Sequence, residues 1–195
     1  MRRHETEIKL QVPDPRALKR RLRDLGFRAV RARHFERNLL FDFRRSRLRK
    51  SRRMLRLRFA DHQGLLTFKG APLSGGQYKV RREVETGVGD GHRLEVILQE
   101  LGLREVFRYE KYRTVFAQVR GSKKAGSALL LYDETPIGNY VELEGSKRWI
   151  DRIARALGYS REDYIPASYG TLYRQNCLQR GKKPGNMVFA GHRRY

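Results

Sequence analysis

The sequence has little cysteine and little tryptophan: Cys177 and Trp149 are single examples among 195 residues. One thiol excludes an internal disulfide framework, and no apolar run reaches the length of a signal-peptide core or a membrane span. A soluble, reducing, cytoplasmic setting with no membrane partner is the expectation. Acidic residues are also scarce, 21 against 44 lysines and arginines, which leaves a net charge of +23. That surplus attracts polyanions such as nucleotides, polyphosphate or nucleic acid without choosing among them. The histidines, His4, His34, His62, His92 and His192, show no metal-ligand spacing, and Cys177 has no histidine partner in sequence and reads as an ordinary thiol. The length suits one substantial domain and would cramp two.

Because acids are few, their placement is informative. Three times two glutamates stand one residue apart inside an apolar stretch: Glu5-Thr6-Glu7, Glu83-Val84-Glu85 and Glu142-Leu143-Glu144. On a strand, residues i and i+2 share a face, so each pair aims two carboxylates at one place. Like charges held this way repel unless cations, metal ions or arginines, sit between them.

Three segments read as helices: Asp14-Pro15 through Leu18, Leu22 and Leu25 to Gly26; Gly91-His92 through Leu94, Ile97 and Leu98 to Gly102; and Ser146 through Ile150, Ile153 and Leu157 to Gly158. Each follows a Glu-x-Glu strand and ends in Leu-Gly plus an apolar residue, a weak internal repetition. Between them the period becomes two, over Leu55–Phe59, Leu66–Lys69, Glu110–Phe116 and Leu129–Asp133, with turn residues at Asp61–Gly64, Gly70–Gly76, Gly121–Gly126 and Pro136–Gly138. The expected fold is α+β: a closed or nearly closed antiparallel β-barrel of roughly eight strands with helices packed outside.

Charge follows strand parity. Lys79, Arg81, Glu83 and Glu85 share one face, as do Glu5, Glu7 and Lys9, Arg56 and Arg58, Lys111 and Arg113, and Glu142 and Glu144. Any single pair reads as a solvated sheet face. Recurrence on so many strands favours an ionic interior, a lumen in which arginine and lysine clamp phosphate oxygens and clustered carboxylates hold Mg²⁺ or Mn²⁺.

In order along the chain, Glu5-Thr6-Glu7-Ile8-Lys9, Arg56/Arg58, Lys69, Arg81/Glu83/Glu85, Lys111/Arg113, Asp133, Glu142/Glu144 and Ser168-Tyr169 resemble the signature of the CYTH domain, the triphosphate tunnel metalloenzymes. The resemblance covers residues 1–175, leaving 176–195 as a basic, flexible tail. It implies an antiparallel tunnel and metal-dependent chemistry on triphosphates: inorganic triphosphatase, thiamine triphosphatase, RNA 5′-triphosphatase or class IV adenylate cyclase. It implies Glu5, Glu7, Asp133, Glu142 and Glu144 as metal ligands, with Glu83 and Glu85 as further ligands or partners of tunnel arginines. Lys9, Arg56, Arg58, Lys69, Arg81, Lys111 and Arg113 are the implied phosphate clamp, with Lys9, Arg58 and Lys111 as the catalytic members.

Two departures bear on the activity. Many members carry a tyrosine on the second strand, where Phe35–Asp42 offers leucine and phenylalanine, which disfavours a lysine–tyrosine dyad acting on water. Trp149 is assigned to core packing, so no aromatic clamp for a thiazole ring is evident and thiamine triphosphate is disfavoured. The Phe-x-x-Asn…Phe-Asp segment is closer to the class IV cyclase branch. The expectation is hydrolysis of an inorganic or nucleoside triphosphate, with cyclic AMP synthesis as the alternative and a basic RNA- or polyphosphate-binding module as the non-enzyme alternative. The Arg44–Arg53 run is expected as a solvated loop at the tunnel mouth that draws in the anionic substrate. Nucleic acid is a secondary partner, and a homodimer is left open.

Overall fold

The computed structural model describes residues 3–61, 63–73, 76–118 and 128–191. His62, His192, Arg193, Arg194, the 121–126 turn and part of the 70–76 turn lie outside the described residues.

The chain runs β1 (Arg3–Val12), α1 (Pro15–Asp24), β2 (Phe27–Phe43), α2 (Arg47–Lys50), β3 (Met54–Ala60), β4 (Gln63–Lys69) and β5 (Lys79–Val88). It continues through α3 (Gly91–Glu100), β6 (Leu103–Gln118), β7 (Leu129–Thr135), β8 (Gly138–Glu144), α4 (Lys147–Ala156) and α5 (Tyr169–Gln179). The eight strands close into one antiparallel barrel in the order β1-β5-β4-β3-β2-β6-β7-β8. Closure removes the exposed edges that an open sheet would have to protect. The expected α+β barrel with outer helices is therefore the observed one.

Local chemistry explains the helices. The Asp14 carboxylate accepts from the amides of Arg16 and Ala17 at 2.8 and 3.0 Å, Pro15 occupies the first turn, and Leu18 and Leu22 are buried. Asp90 and Ser146 cap α3 and α4 in the same way. Gly26, Gly102 and Gly158, one after each of these helices, all take positive φ, +75°, +83° and +86°. A left-handed residue at this position satisfies the last helical carbonyls, and glycine adopts it without steric cost.

The outward strand residues form two apolar layers. Ile8, Leu10, Leu130, Val141 and Leu143 meet Leu18 and Leu22 of α1 and Ile150 and Ile153 of α4, while Leu39, Phe41 and Leu57 meet Leu98 of α3. Trp149 packs edge-on against Phe27 with centroids 6.5 Å apart, the core role expected for it. A third cluster joins α5 to the barrel through Tyr109, Tyr140, Tyr169 and Met187.

Two segments differ from expectation. Arg44–Arg53 contains the one-turn helix α2, because Asp42 accepts from the amides of Leu48 and Arg49 at 2.8 and 3.0 Å. Residues 186–189, inside the stretch expected to be free, lie along β6: Met187 is fully buried and exchanges backbone hydrogen bonds with Arg108 and Glu110, each 2.9 Å. β7 pairs with β6 only from Tyr112 onward, so this segment takes the strand edge left open at Arg108–Glu110.

Candidate active site

The barrel encloses a cavity of about 810 Å³ whose wall carries eight lysines and arginines and six glutamates. Every candidate residue except Asp133 lines it. β1 supplies Glu5, Glu7 and Lys9; β3, Arg56 and Arg58; β4, Lys69; β5, Arg81, Glu83 and Glu85; β6, Lys111 and Arg113; and β8, Glu142 and Glu144. Alternation places all of them inward while Ile8, Leu57, Val141 and Leu143 face the apolar layers. Depth varies along the wall: Lys111 and Asp133 are sealed, and Glu85 is exposed near the outlet.

The glutamates divide into two environments. Glu5, Glu7 and Glu144 converge, with one carboxylate oxygen of each within 4.8 Å of the others, and Glu7 stands directly opposite Glu144 across the β1–β8 pair. Burial and the adjoining Glu83 carboxyl push Glu5 up to about 7, and burial together with Glu5 and Glu142 pushes Glu144 up to about 8. Glu7 goes the other way: burial alone would raise it, but Lys79 at 2.5 Å and Lys9 at 3.7 Å hold it below the ordinary range. Among the described residues no lysine or arginine pairs with Glu144. Three converging oxygen donors, one of them without a protein cation, fit a hard divalent cation.

The other carboxylates are likewise held by protein cations. Glu142 lies between Lys9 at 3.2 Å and Arg113 at 2.5 Å, which keep it well below its usual range against the effect of burial. Asp133 is behind the wall and fully buried; Arg113 takes both its oxygens at 2.6 Å, and Lys111 and Tyr169 add contacts at 2.8 and 2.7 Å. That set of contacts fits an anchor for the two cations. Lys69 bridges Glu5 at 2.7 Å and Glu83 at 3.0 Å, and Arg56 lies 4.0 Å from Glu83 and 3.8 Å from Glu85. Glu83 and Glu85 are thus partners of wall cations.

Three contributors were not singled out as site residues in the sequence. Glu36 of β2, 1% exposed, sits beneath the wall, 3.3 Å from Arg58, 3.6 Å from Lys111 and 3.4 Å from His34. Despite burial, Arg113, Lys111 and Arg58 hold its carboxyl well below the ordinary range. Asn38, two residues on, accepts from Arg58 Nε at 3.1 Å. Lys79 is the cation on Glu7. The available signal was parity: Glu36 and Asn38 share a strand face, and Lys79 lies on the all-ionic face of β5. Tyr169, at the start of α5, stacks beneath both Lys9 and Lys111, whose ammonium groups lie 5.2 and 5.1 Å from the ring centroid.

An eight-stranded antiparallel tunnel with a mixed ionic wall defines the class, and the comparisons agree. Residues 3–169 match the CYTH domain family. A candidate adenylate cyclase of Methanocaldococcus jannaschii is 27% identical over 175 residues, covering 85% of this chain and 95% of that protein. A candidate adenylate cyclase from Vibrio parahaemolyticus superposes with a TM-score of 0.74 at 17% identity, covering 88% of this chain and 98% of that one. A candidate adenylyl cyclase from Hippeastrum, described as having a dominant triphosphatase activity, superposes with a TM-score of 0.64 at 20% identity, covering 92% and 97%. The chain belongs to the CYTH domain family, the triphosphate tunnel metalloenzymes. No helix among the described residues is long and apolar enough to cross a membrane.

Proposed function

We propose that this protein hydrolyses an inorganic or nucleoside triphosphate inside the barrel with Mg²⁺ or Mn²⁺ bound by Glu5, Glu7 and Glu144. The observation that carries the reading is the meeting, in one cavity, of a converging acidic trio, whose member Glu144 no described lysine or arginine pairs, and a wall of anchored lysines and arginines. Arg56, Arg58, Lys69, Arg81, Lys111 and Arg113 grip the phosphate oxygens. Arg81 Nε has no hydrogen-bond partner among the described residues. Lys9 lies between Glu7 and Glu142, at the border of the acidic and basic zones, and so reaches a phosphoryl group that spans them.

Phosphoryl transfer needs positioning and charge neutralisation more than covalent help from the protein. Glu36 fixes Arg58 and Lys111, Asp133 fixes Lys111 and Arg113, and the cations therefore need little reorganisation when the anion arrives. A divalent ion held by Glu5, Glu7 and Glu144 would supply charge neutralisation for a bound triphosphate. Hydrolysis is favoured over cyclisation because the buried lumen tyrosines are engaged: Tyr169 carries two lysines, and the Tyr109 hydroxyl accepts from Arg56 at 3.3 Å. Neither ring is free to stack on a base.

Cyclic AMP synthesis is the second reading, supported by the names of the relatives and by apolar wall residues such as Leu40, Met54 and Leu129 that could border a purine. The test offers tripolyphosphate, ATP and thiamine triphosphate with Mg²⁺ or Mn²⁺ and quantifies phosphate, pyrophosphate and cyclic AMP separately. Phosphate from tripolyphosphate or ATP is expected. Cyclic AMP with pyrophosphate would favour the second reading, and no turnover of any of the three would contradict both.

A further inference from the structure

The outer flank formed by α1 and α4 carries charge that the lumen does not use. Both helices pack on the same apolar layer, and Arg21 of α1 donates to the Leu157 carbonyl at the end of α4. Their outward faces hold two stripes with identical spacing: Arg16, Arg20 and Arg23 on α1, and Arg148, Arg152 and Arg155 on α4. Positions i, i+4 and i+7 share one helix face, and all six side chains are exposed. None forms a salt bridge among the described residues. The carboxylates nearby offer little relief: Asp14 caps α1 and is felt by Arg16 and Arg20 without a salt bridge to either, Asp24 stands at the end of α1, and Asp151 is taken by Tyr78, Tyr164 and Arg161. Six unpaired cations so spaced repel one another at a cost that an external polyanion would remove.

We infer that this flank binds the phosphate backbone of a duplex nucleic acid without reading its sequence. Each helix of ten residues is about 15 Å long, and that length of duplex axis carries about nine phosphate charges, enough to meet both stripes. The exposed large apolar residues, such as Val30, Leu73, Ile97 and Leu101, all lie off these two helices, so the flank has nothing to insert into a lipid surface. It also presents no exposed aromatic ring for base stacking, since Trp149 is half-buried against Phe27. The chemistry on offer is cationic contact to phosphate alone, which positions a duplex and carries no sequence information.

The test is fluorescence anisotropy of a labelled RNA duplex of about 20 base pairs, titrated with full-length protein between about 50 and 200 mM KCl. Wild type should bind with log K falling against log salt at a slope of about −5, about 0.9 for each of six phosphate contacts, and equally for duplexes of unrelated sequence. R20Q/R23Q/R148Q/R152Q should weaken binding at least tenfold at the lowest salt and reduce the slope by about 3 to 4. Its circular dichroism and its tripolyphosphate turnover should match wild type, because all four positions are outside the lumen. R44Q/R45Q/R49Q/R52Q, in the other basic run, should retain duplex affinity. Unchanged binding by the helix variant, loss confined to the second variant, or binding to phosphatidylserine vesicles but to no duplex would each overturn the inference. The binding measurement stands whether or not the protein turns over a triphosphate, so the two readings fail separately.

Discussion

Glu144 is the most consequential single residue, because it is the lumen carboxylate that cations among the described residues leave unpaired. Glu144→Gln keeps the shape and removes the charge. Metal-assisted stabilisation of a phosphoryl transition state is worth several kcal/mol, so turnover should fall on the order of 10²- to 10⁴-fold with the thermal midpoint preserved or raised. Steady-state kinetics beside calorimetry decides this, and wild-type rates from the variant would remove Glu144 from the site. Glu36 tests the opposite kind of role. It does not line the cavity, yet Arg58 and Lys111 rest on it. Glu36→Ala leaves Arg58 without its carboxylate and Lys111 with Asp133 alone, and should cost about 3–5 kcal/mol in urea unfolding, whereas a loss under 1 kcal/mol would show that the pairing contributes little.

Among the elements, the repeated strand, helix and left-handed glycine sets the architecture of the outer layer. β1 leads into α1, β5 into α3 and β8 into α4, and the three helices end at Gly26, Gly102 and Gly158. A Cβ added at Gly26 would touch nothing within 4 Å, so Gly26→Ala isolates the cost of the left-handed backbone, about 1–2 kcal/mol. The melting temperature should drop by about 2–8 °C, and no drop would mean that the helix end relaxes. These helices were legible because cap, apolar stripe and stop all lie within a dozen residues. β2 was not. Its outer half, with Arg28, Arg31 and Arg33, is exposed and bulged against β6 at Ala29, Arg31 and His34, so no alternation marks it as strand. The docking of Met187 was also illegible, since it depends on an edge of β6 that only the barrel's geometry leaves open.

For the molecule as a whole, the arrangement of charge matters more than its sum. The lumen wall was readable from the parity of charged residues, because a two-residue period fixes which side chains share a face. Which carboxylates pair with arginines and which converge was not readable, since that depends on cross-barrel distances; Glu142 and Glu144 leave the same strand face for different environments. Acid–base linkage follows from the division. Glu5 and Glu144 titrate near 7 and 8 in the folded protein against about 4.5 when unfolded, so the native state binds more protons between those values. In the presence of chelator, stability should therefore fall as pH rises from about 5 through 8. Glu7, Glu36 and Glu142 are shifted downward, and their contribution is lost only at acid pH, below that window. Thermal melts across this range check the sign, and a stability that climbs toward pH 8 without metal would contradict the environments assigned to the trio. The most direct measurement of the central claim is anomalous scattering from crystals of the protein soaked with Mn²⁺ and tripolyphosphate. The account predicts a manganese peak among Glu5, Glu7 and Glu144 with phosphate oxygens against Lys9, Arg58 and Lys111. A peak confined to Glu83 and Glu85, or phosphate bound outside the barrel, would contradict it.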